Sequence, residues 1–508
     1  MTDKIIFWLD AFLLNFCFAH DLQKKHDCEL YAVVDVTNRT KKFFEEQNFV
    51  NFKKQWFLHD HIKKISSKPD IKYLEDFEKR YSINIWQLGI NERIFYYYND
   101  FYKFSHDEIL SILEQECKLY ENILDEINPD FLITNETALH QQHLFYEICK
   151  KRGTKVLMLN QSKLAYKCTI SQELHKIDFM PELNQITSKK RSFDELLSKL
   201  KSFDSSKQTK FYAKNFGNSR SSKLKALFEF TFNSDNSNIH THFSYFGRNK
   251  SKVITKYLIY AMQTKSRKSF IDKNLESEIH PNEKFILFTL NQEPERSTLI
   301  ATPYYTNQIE VIRHIAKSLP PGYKLYVKEH FSQVLREWRK ISYYKEILEI
   351  PNVRLYHPSA NIEKLIQGSS LVISIGGTTP FQAAFYQKPS IIIADLGYAV
   401  LPSVVRLNSL EELPLIIRES LKLKVNSDDL DRYFSILEDN SFDFNFKEYE
   451  IKEGDFFRHG GNFHDTIITN EKMKSFLESN ENFFKILSEE HIKKIQQLRK
   501  LGNIPQKH

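Results

Sequence analysis

Four polar clusters in the second half of the chain each follow a short apolar run, and their residue types together suit a phosphate-bearing ligand. "FILFTL" is followed closely by Gln292, Glu293, Glu295 and Ser297, and "KLYV" by Lys328, Glu329 and His330. "LVISI" is followed by Gly376, Gly377, Thr378 and Thr379, and "SIIIA" by Asp395. Amide, hydroxyl, ammonium and imidazole donors bind phosphate oxygens and stabilise charge that builds on a leaving phosphate. At Gly376–Thr379 the glycines let the backbone turn closely, Thr378 or Thr379 is expected to cap a helix, and Pro380 suits its first turn. That helix end favours an anion. The turn contains neither GxGxxG nor the Walker lysine, so dinucleotide binding and ATPase chemistry are not indicated. His330 is expected to hydrogen-bond a phosphate oxygen of a leaving nucleotide, as imidazolium or as a neutral N–H.

A second group lies in the first third. Asp10 ends the run "KIIFWLD", and "DFLITNETALHQQH" places Asn135, Glu136, His140 and His143 just beyond another run. Asp10 and Glu136 are candidate general bases for an acceptor hydroxyl. His140 and His143 are three residues apart, and His59 and His61 of "HDH" would share one strand face, but neither pair has an evident third ligand. No metal and no cofactor is expected. "RHGGNFH" (458–464) is expected to loop back toward the cleft.

The elements that must position these residues alternate. Strands are predicted at 4–10, 28–36, 55–60, 130–135 and 155–160, with a helix over 105–127 that Ser105 is placed to cap. Further strands are predicted at 284–290, 323–330, 353–357, 371–376, 390–395 and 403–407, with helices near 305–318, 332–348, 360–368, 379–387 and 409–423. Strands that alternate with helices give parallel sheets covered on both faces. The expected fold is therefore α/β, with two Rossmann-like domains facing a cleft. The expected division is an N-terminal Rossmann-like domain (1–169), a basic connector or insertion (170–280), a C-terminal Rossmann-like domain (281–424) and a helical extension (425–508). Ligands of open parallel sheets bind beyond the carboxyl ends of the strands.

The bulk numbers agree with two or three ordinary domains. The chain has 508 residues, of which 41% are hydrophobic and 27% charged. "IIFWLDAFLLNFCFA" (5–19) has a leader's apolar look, but Asp10 and Asn15 interrupt it and it reads better as a strand entering a helix. No run is long enough to span a membrane. Five cysteines without a CxxC pair suggest reduced thiols in a cytoplasmic protein. The net charge is +7, yet residues 187–274 hold 19 Lys and Arg against 6 Asp and Glu, which leaves the remainder acidic. Such a segment can attract an anionic surface, and peripheral contact with the inner face of the cell membrane is one expectation. It has no aromatic-interleaved basic motif, so nucleic acid is not an expected partner.

The stretches 290–299, 326–333 and 353–393 together carry a resemblance. "YVKEHFSQ" and "VRLYHPSANIEKLIQGSSLVISIGGTTPFQAAFYQKPSIII" resemble surface and capsule polysaccharide biosynthesis proteins, and "KEH" with upstream Gln292 and Glu295 is similar to capsular Kdo transferases. These are glycosyltransferases of the two-Rossmann, or GT-B, type. The resemblance covers about 290–400 well and the remainder only by architecture. It implies a nucleotide-activated donor, CMP- or UDP-linked, and a lipid-linked or oligosaccharide acceptor. It also implies that His330 contacts the donor phosphate, that Gly377, Thr378 and Thr379 cradle it, and that Gln292 and Glu295 line the donor site, near Lys328, Gly376 and Asp395. The family's His-Pro is His330-Phe331 here, and the glutamate that binds the donor ribose in many relatives is Gln382. Those departures leave open a CDP-polyol phosphotransferase, a UDP-sugar 2-epimerase or a non-catalytic nucleotide-sugar scaffold.

Overall fold

A computed structural model describes residues 2–502 apart from 64, 66–67, 98–99, 165, 204–218 and 334–337. Its strands are β1 (Asp3–Asp10), β2 (Cys28–Asp35), β3 (Phe52–Phe57), β4 (Phe131–Thr134), β5 (Lys155–Gln161) and β6 (Lys167–Ser171). They continue with β7 (Phe285–Thr289), β8 (Lys324–Lys328), β9 (Val353–Tyr356), β10 (Leu371–Ser374), β11 (Ser390–Ile392), β12 (Val404–Arg406) and β13 (Phe442–Asp443). The chain forms two compact α/β units, one of Met1–Asp178, Asp204–Val253 and Ser441–His508, the other of Phe179–Phe203 and Ile254–Asn440. The structure thus divides 170–280 between the units and joins everything from Ser441 onward to the first.

The first unit holds a seven-stranded sheet in the order β13-β6-β5-β4-β1-β2-β3. β5-β4-β1-β2-β3 run parallel, while β6 and β13 add antiparallel pairs at one edge. β1 alternates its side chains between two cores. Ile5, Phe7 and Leu9 enter one, and Ile6 and Trp8 enter the other. The first core is completed by late residues, among them Tyr449, Phe476, Phe484 and Leu487. The His491 ring stacks on Phe18 at 4.5 Å. The helix His106–Ile127 starts at Ser105, whose side chain forms the expected cap as a full capping box with Glu108.

The second unit holds a six-stranded parallel sheet in the order β12-β11-β10-β7-β8-β9. Counted from its own first strand this is 3-2-1-4-5-6, the order of Rossmann folds, with the topological switch point between β7 and β10. Ile286 and Phe288 pack on one face, Phe285 and Leu287 on the other. The α/β class with two Rossmann-like sheets is therefore as the sequence predicts. Two local expectations change. His59 and His61 lie on the short helix Leu58–His61 rather than on a strand, because β3 starts earlier and ends at Phe57. Of the helix predicted over 332–348 the structure describes Ile341–Leu348, and 334–337 lie outside the described residues. Among the described residues, no helix is long and apolar enough to cross a membrane.

Candidate functional site

In the second unit the polar clusters gather at the carboxyl edge of the sheet, centred on the switch point. β7 leads into Asn291 and Gln292, and β10 leads into Gly376 and Gly377. The Asn291 amide donates to the Gly376 carbonyl at 3.4 Å and to the Ser297 hydroxyl at 3.3 Å. It thus ties the two strand ends together. The Gln308 side chain closes the turn, accepting from the Asn291 backbone N–H at 2.7 Å and donating to its carbonyl at 3.0 Å. Asn291 Oδ1 and Gln292 Nε2 are buried without a hydrogen-bond partner among the described residues. An unsatisfied buried polar atom costs about 1–3 kcal/mol. A polar ligand that draws these amides outward would recover it.

Gly377 has φ +107°, which non-glycine residues rarely adopt, and a Cβ there would meet nothing within 4 Å. The backbone beside this turn is open to an incoming group. The Tyr398 hydroxyl donates to the Gly377 carbonyl at 2.6 Å and fixes the turn from below. Pro380 takes the first turn of Thr379–Phe385 as expected. Thr378 occupies the cap position without a side-chain cap hydrogen bond, so its exposed hydroxyl is not used in capping. Gln382 is half-buried on the same helix.

One strand over, β8 delivers Lys328, Glu329 and His330. The Lys328 ammonium is buried and donates to the carbonyls of Glu329 (2.8 Å) and Pro358 (2.9 Å). Burial lowers its pKa to about 8. This lysine braces the strand end. Fully buried Glu329 accepts from Arg339 Nε and from the Tyr344 hydroxyl, both at 2.9 Å, and from the His330 N–H at 2.6 Å. Arg339 also pairs with Glu293 and donates to the Asn291 carbonyl at 2.6 Å. A buried ionic lattice thus lies beneath the switch point. His330 Nδ1 accepts from the Ser332 N–H at 3.2 Å, which places the proton of the neutral ring on Nε2. Glu295 accepts from the Ser297 hydroxyl at 2.9 Å. Asp395 is exposed beyond β11 and pairs with Arg406 at 3.3 Å.

In the first unit the switch point lies between β1 and β4, and it is where Asp10 and Asn135 emerge. Asp10 and Asp35 are direct partners in the β1–β2 register. Burial pushes the Asp10 carboxyl up to about 7, helped by the Asp35 charge and opposed by the Phe12 N–H and Arg458. Burial also raises Asp35, but hydrogen bonds from His59 (3.1 Å) and Gln141 (3.1 Å) outweigh it and hold Asp35 below the ordinary carboxylate range. Two neighbouring carboxyls with pKa values pushed apart are the arrangement of an acid/base pair. Arg458, from the 458–464 loop, therefore acts on the same strand end as Asp10. Glu136 is exposed in the loop before the helix His140–Lys151, which begins four residues later. His140 lies buried between Glu92 (3.0 Å) and Glu116 (3.1 Å). Burial alone would lower its pKa, but the two carboxylates raise it to about 10. Among the described residues, no group of three or more His, Cys, Asp or Glu could hold a metal ion.

A consequence for stability follows with a definite sign. Because the folded Asp10 carboxyl titrates near 7 and an unfolded one near 3.8, the fold loses stability as pH rises through that window. Asp10→Asn removes this loss. The melting temperature of Asp10→Asn, relative to the natural protein, is expected to rise from pH 5 to pH 8, and a flat difference would refute the burial effect.

Asn291, Gln308, Arg339 and Tyr344 around β7 and β8, and Asp35 and Gln141 in the first unit, are site residues that the sequence reading missed. Asp35 stands one residue before the end of the predicted run 28–36, so its place at a strand end was an available signal, whereas its pairing with Asp10 was not. Arg339 had none, being placed by tertiary packing alone.

No family model and no curated protein sequence matches the chain. Among solved structures it is similar to the UDP-GlcNAc 2-epimerase of Methanocaldococcus jannaschii, at 12% identity and TM-score 0.25 over 86% of this chain and 99% of that one. The Thermosulfurimonas dismutans KpsC, a β-Kdo 2,4 transferase, is similar at 11% identity and TM-score 0.30 over 60% and 79%. The N-terminal domain of Candida albicans trehalose-6-phosphate phosphatase is similar at 11% identity and TM-score 0.30 over 88% and 95%. Likenesses at this level carry no information on activity.

Proposed function

We propose that the protein is a glycosyltransferase that moves a sugar from a nucleotide-activated donor, CMP- or UDP-linked, to a growing surface polysaccharide or a lipid-linked acceptor. One observation carries this reading. The switch point of a 3-2-1-4-5-6 sheet presents a turn open at Gly377 beside two amides with unpaired polar atoms, within the stretch that resembles capsule biosynthesis enzymes. In this reading the amides of Gly376 and Gly377 and the hydroxyls of Thr378 and Thr379 hold the donor phosphate. His330 donates from Nε2 to the phosphate as negative charge builds on it, and Gln292, Glu295, Gln382 and Asp395 line the remainder of the donor. Lys328 keeps the β8 end in place. Asp10, tuned by burial and by Asp35, takes the proton of the acceptor hydroxyl, and exposed Glu136 is the alternative base.

The test is incubation of the full chain with CMP-, UDP-, GDP- and CDP-linked donors, with products identified by mass. Release of free sugar or transfer to an oligosaccharide supports the proposal. An isomerised donor would make the protein a 2-epimerase, and a transferred polyol phosphate would make it a phosphotransferase. No binding of any donor would overturn the reading altogether.

A further inference from the structure

The helix Arg220–Phe228 and the wider turn that continues it, Glu229–Asn233, display an apolar stripe that is unpartnered among the described residues. Leu224 is 67% exposed, Leu227 48%, Phe228 58% and Phe232 69%. They recur at intervals of three and four residues and so lie along one face. The Phe228 and Phe232 rings touch, with centroids 4.9 Å apart. Only Ala226 of the helix is buried. Four large side chains side by side in water are not explained by a soluble surface, where such residues stand singly. Cations border the stripe. Arg220, Lys223 and Lys225 belong to the helix, and the Lys250 ammonium reaches in to donate to the Thr231 carbonyl at 2.8 Å. The stripe lies inside the segment 187–274, with its 19 basic and 6 acidic residues.

We propose that this stripe docks the protein on the surface of an anionic lipid bilayer. The residue types match an interfacial helix: aromatic and branched aliphatic side chains enter the boundary between headgroups and acyl chains, while the flanking ammonium and guanidinium groups meet anionic headgroups. A protein partner would bury the leucines and phenylalanines equally well, but it gives no reason for cations on the rim and for the excess positive charge of the surrounding segment. The inference stands apart from the donor reading, since it uses none of the strand-end residues.

Flotation of the full chain tests it, with vesicles of phosphatidylcholine alone and with vesicles that contain about one-third phosphatidylglycerol. The natural protein is expected to float with the anionic vesicles, less so at high salt, and weakly with the neutral ones. Leu224→Ser, Leu227→Ser, Phe228→Ser and Phe232→Ser combined should lower the partition coefficient about tenfold or more, and so should Lys223→Glu with Lys225→Glu. If the combined serine variant loses its far-ultraviolet circular dichroism, Phe232→Ser alone, at the most exposed position, serves in its place. Three results would overturn the proposal: a natural protein that stays unbound, a serine variant that floats as well as the natural protein, or self-association through the stripe without vesicle binding.

Discussion

Replacement of Arg339 by methionine is expected to destabilise the second unit by roughly 3–5 kcal/mol, the cost of breaking a buried ion pair from one side. Arg339 is almost wholly buried, holds Glu329 at 2.9 Å, pairs with Glu293 and lies over the Tyr343 ring at 4.8 Å. Methionine fills much of the volume but leaves both carboxylates uncompensated. Burial already raises the Glu293 carboxyl, and Arg339 is what opposes that rise. In the variant the Glu293 carboxyl should take up a proton more readily, so the loss is expected to be smaller at pH 5 than at pH 8. Hydrogen exchange of the β7 and β8 amides reads this unit separately from the other. Adding Glu329→Gln to the variant should recover part of the loss, with a coupling of about 0.5–3 kcal/mol. Arg339→Lys should rescue poorly, because an ammonium cannot serve Glu329, Glu293 and the Asn291 carbonyl together. An Arg339→Met protein with unchanged exchange at β7 and β8 would show that the lattice contributes no net stability.

The second large effect concerns turnover. His330→Ala is expected to lower kcat on the accepted donor by about 10²–10³, the range for loss of one donor to developing charge. The KM for the donor should move far less, since in the proposed reading the backbone at Gly376 and Gly377 would still hold the ground state. His330→Gln, which keeps an N–H at similar reach, should retain part of the rate. The Ser332 N–H on Nδ1 fixes which ring nitrogen carries the proton, so the natural rate should not require an imidazolium. If His330→Ala changes KM and leaves kcat alone, the residue positions substrate and does not act on the leaving phosphate.

The strands were legible because each is a short apolar run, and residues with chemistry stand where the runs stop. Strand order was not legible. Nothing local in "FILFTL" or "LVISI" says that these two strands are neighbours, yet this pairing is what brings Asn291 to Gly376. β6 and β13 escaped for another reason, since β13 has two residues and exists only because Phe442 and Asp443 meet β6. The polar partners that tune the site were hardest to see. His59 was visible as a histidine, but its hydrogen bond to Asp35 depends on a strand that gives way to a helix at Leu58. The Gly-Gly-Thr-Thr turn was read from its own residues, and there the structure puts Pro380 in the first helical turn and Thr378 at the cap position without a cap hydrogen bond.

The path of the chain between the two units has a consequence for synthesis. The polypeptide passes from one unit to the other four times, and neither unit is a continuous stretch. The first sheet begins with residue 3, yet its core waits for Tyr449, Phe476 and Phe484, and Arg499 closes an ion pair on Asp3. Synthesis must therefore run past residue 484 before the Phe7 face of β1 is covered, whereas its Ile6 and Trp8 face needs no core residue beyond Phe243. Phe7, Phe16 and Phe18 stay without their late partners through that interval, and a nascent chain of this design depends on protection during translation that a domain folding from its own N-terminus does not need.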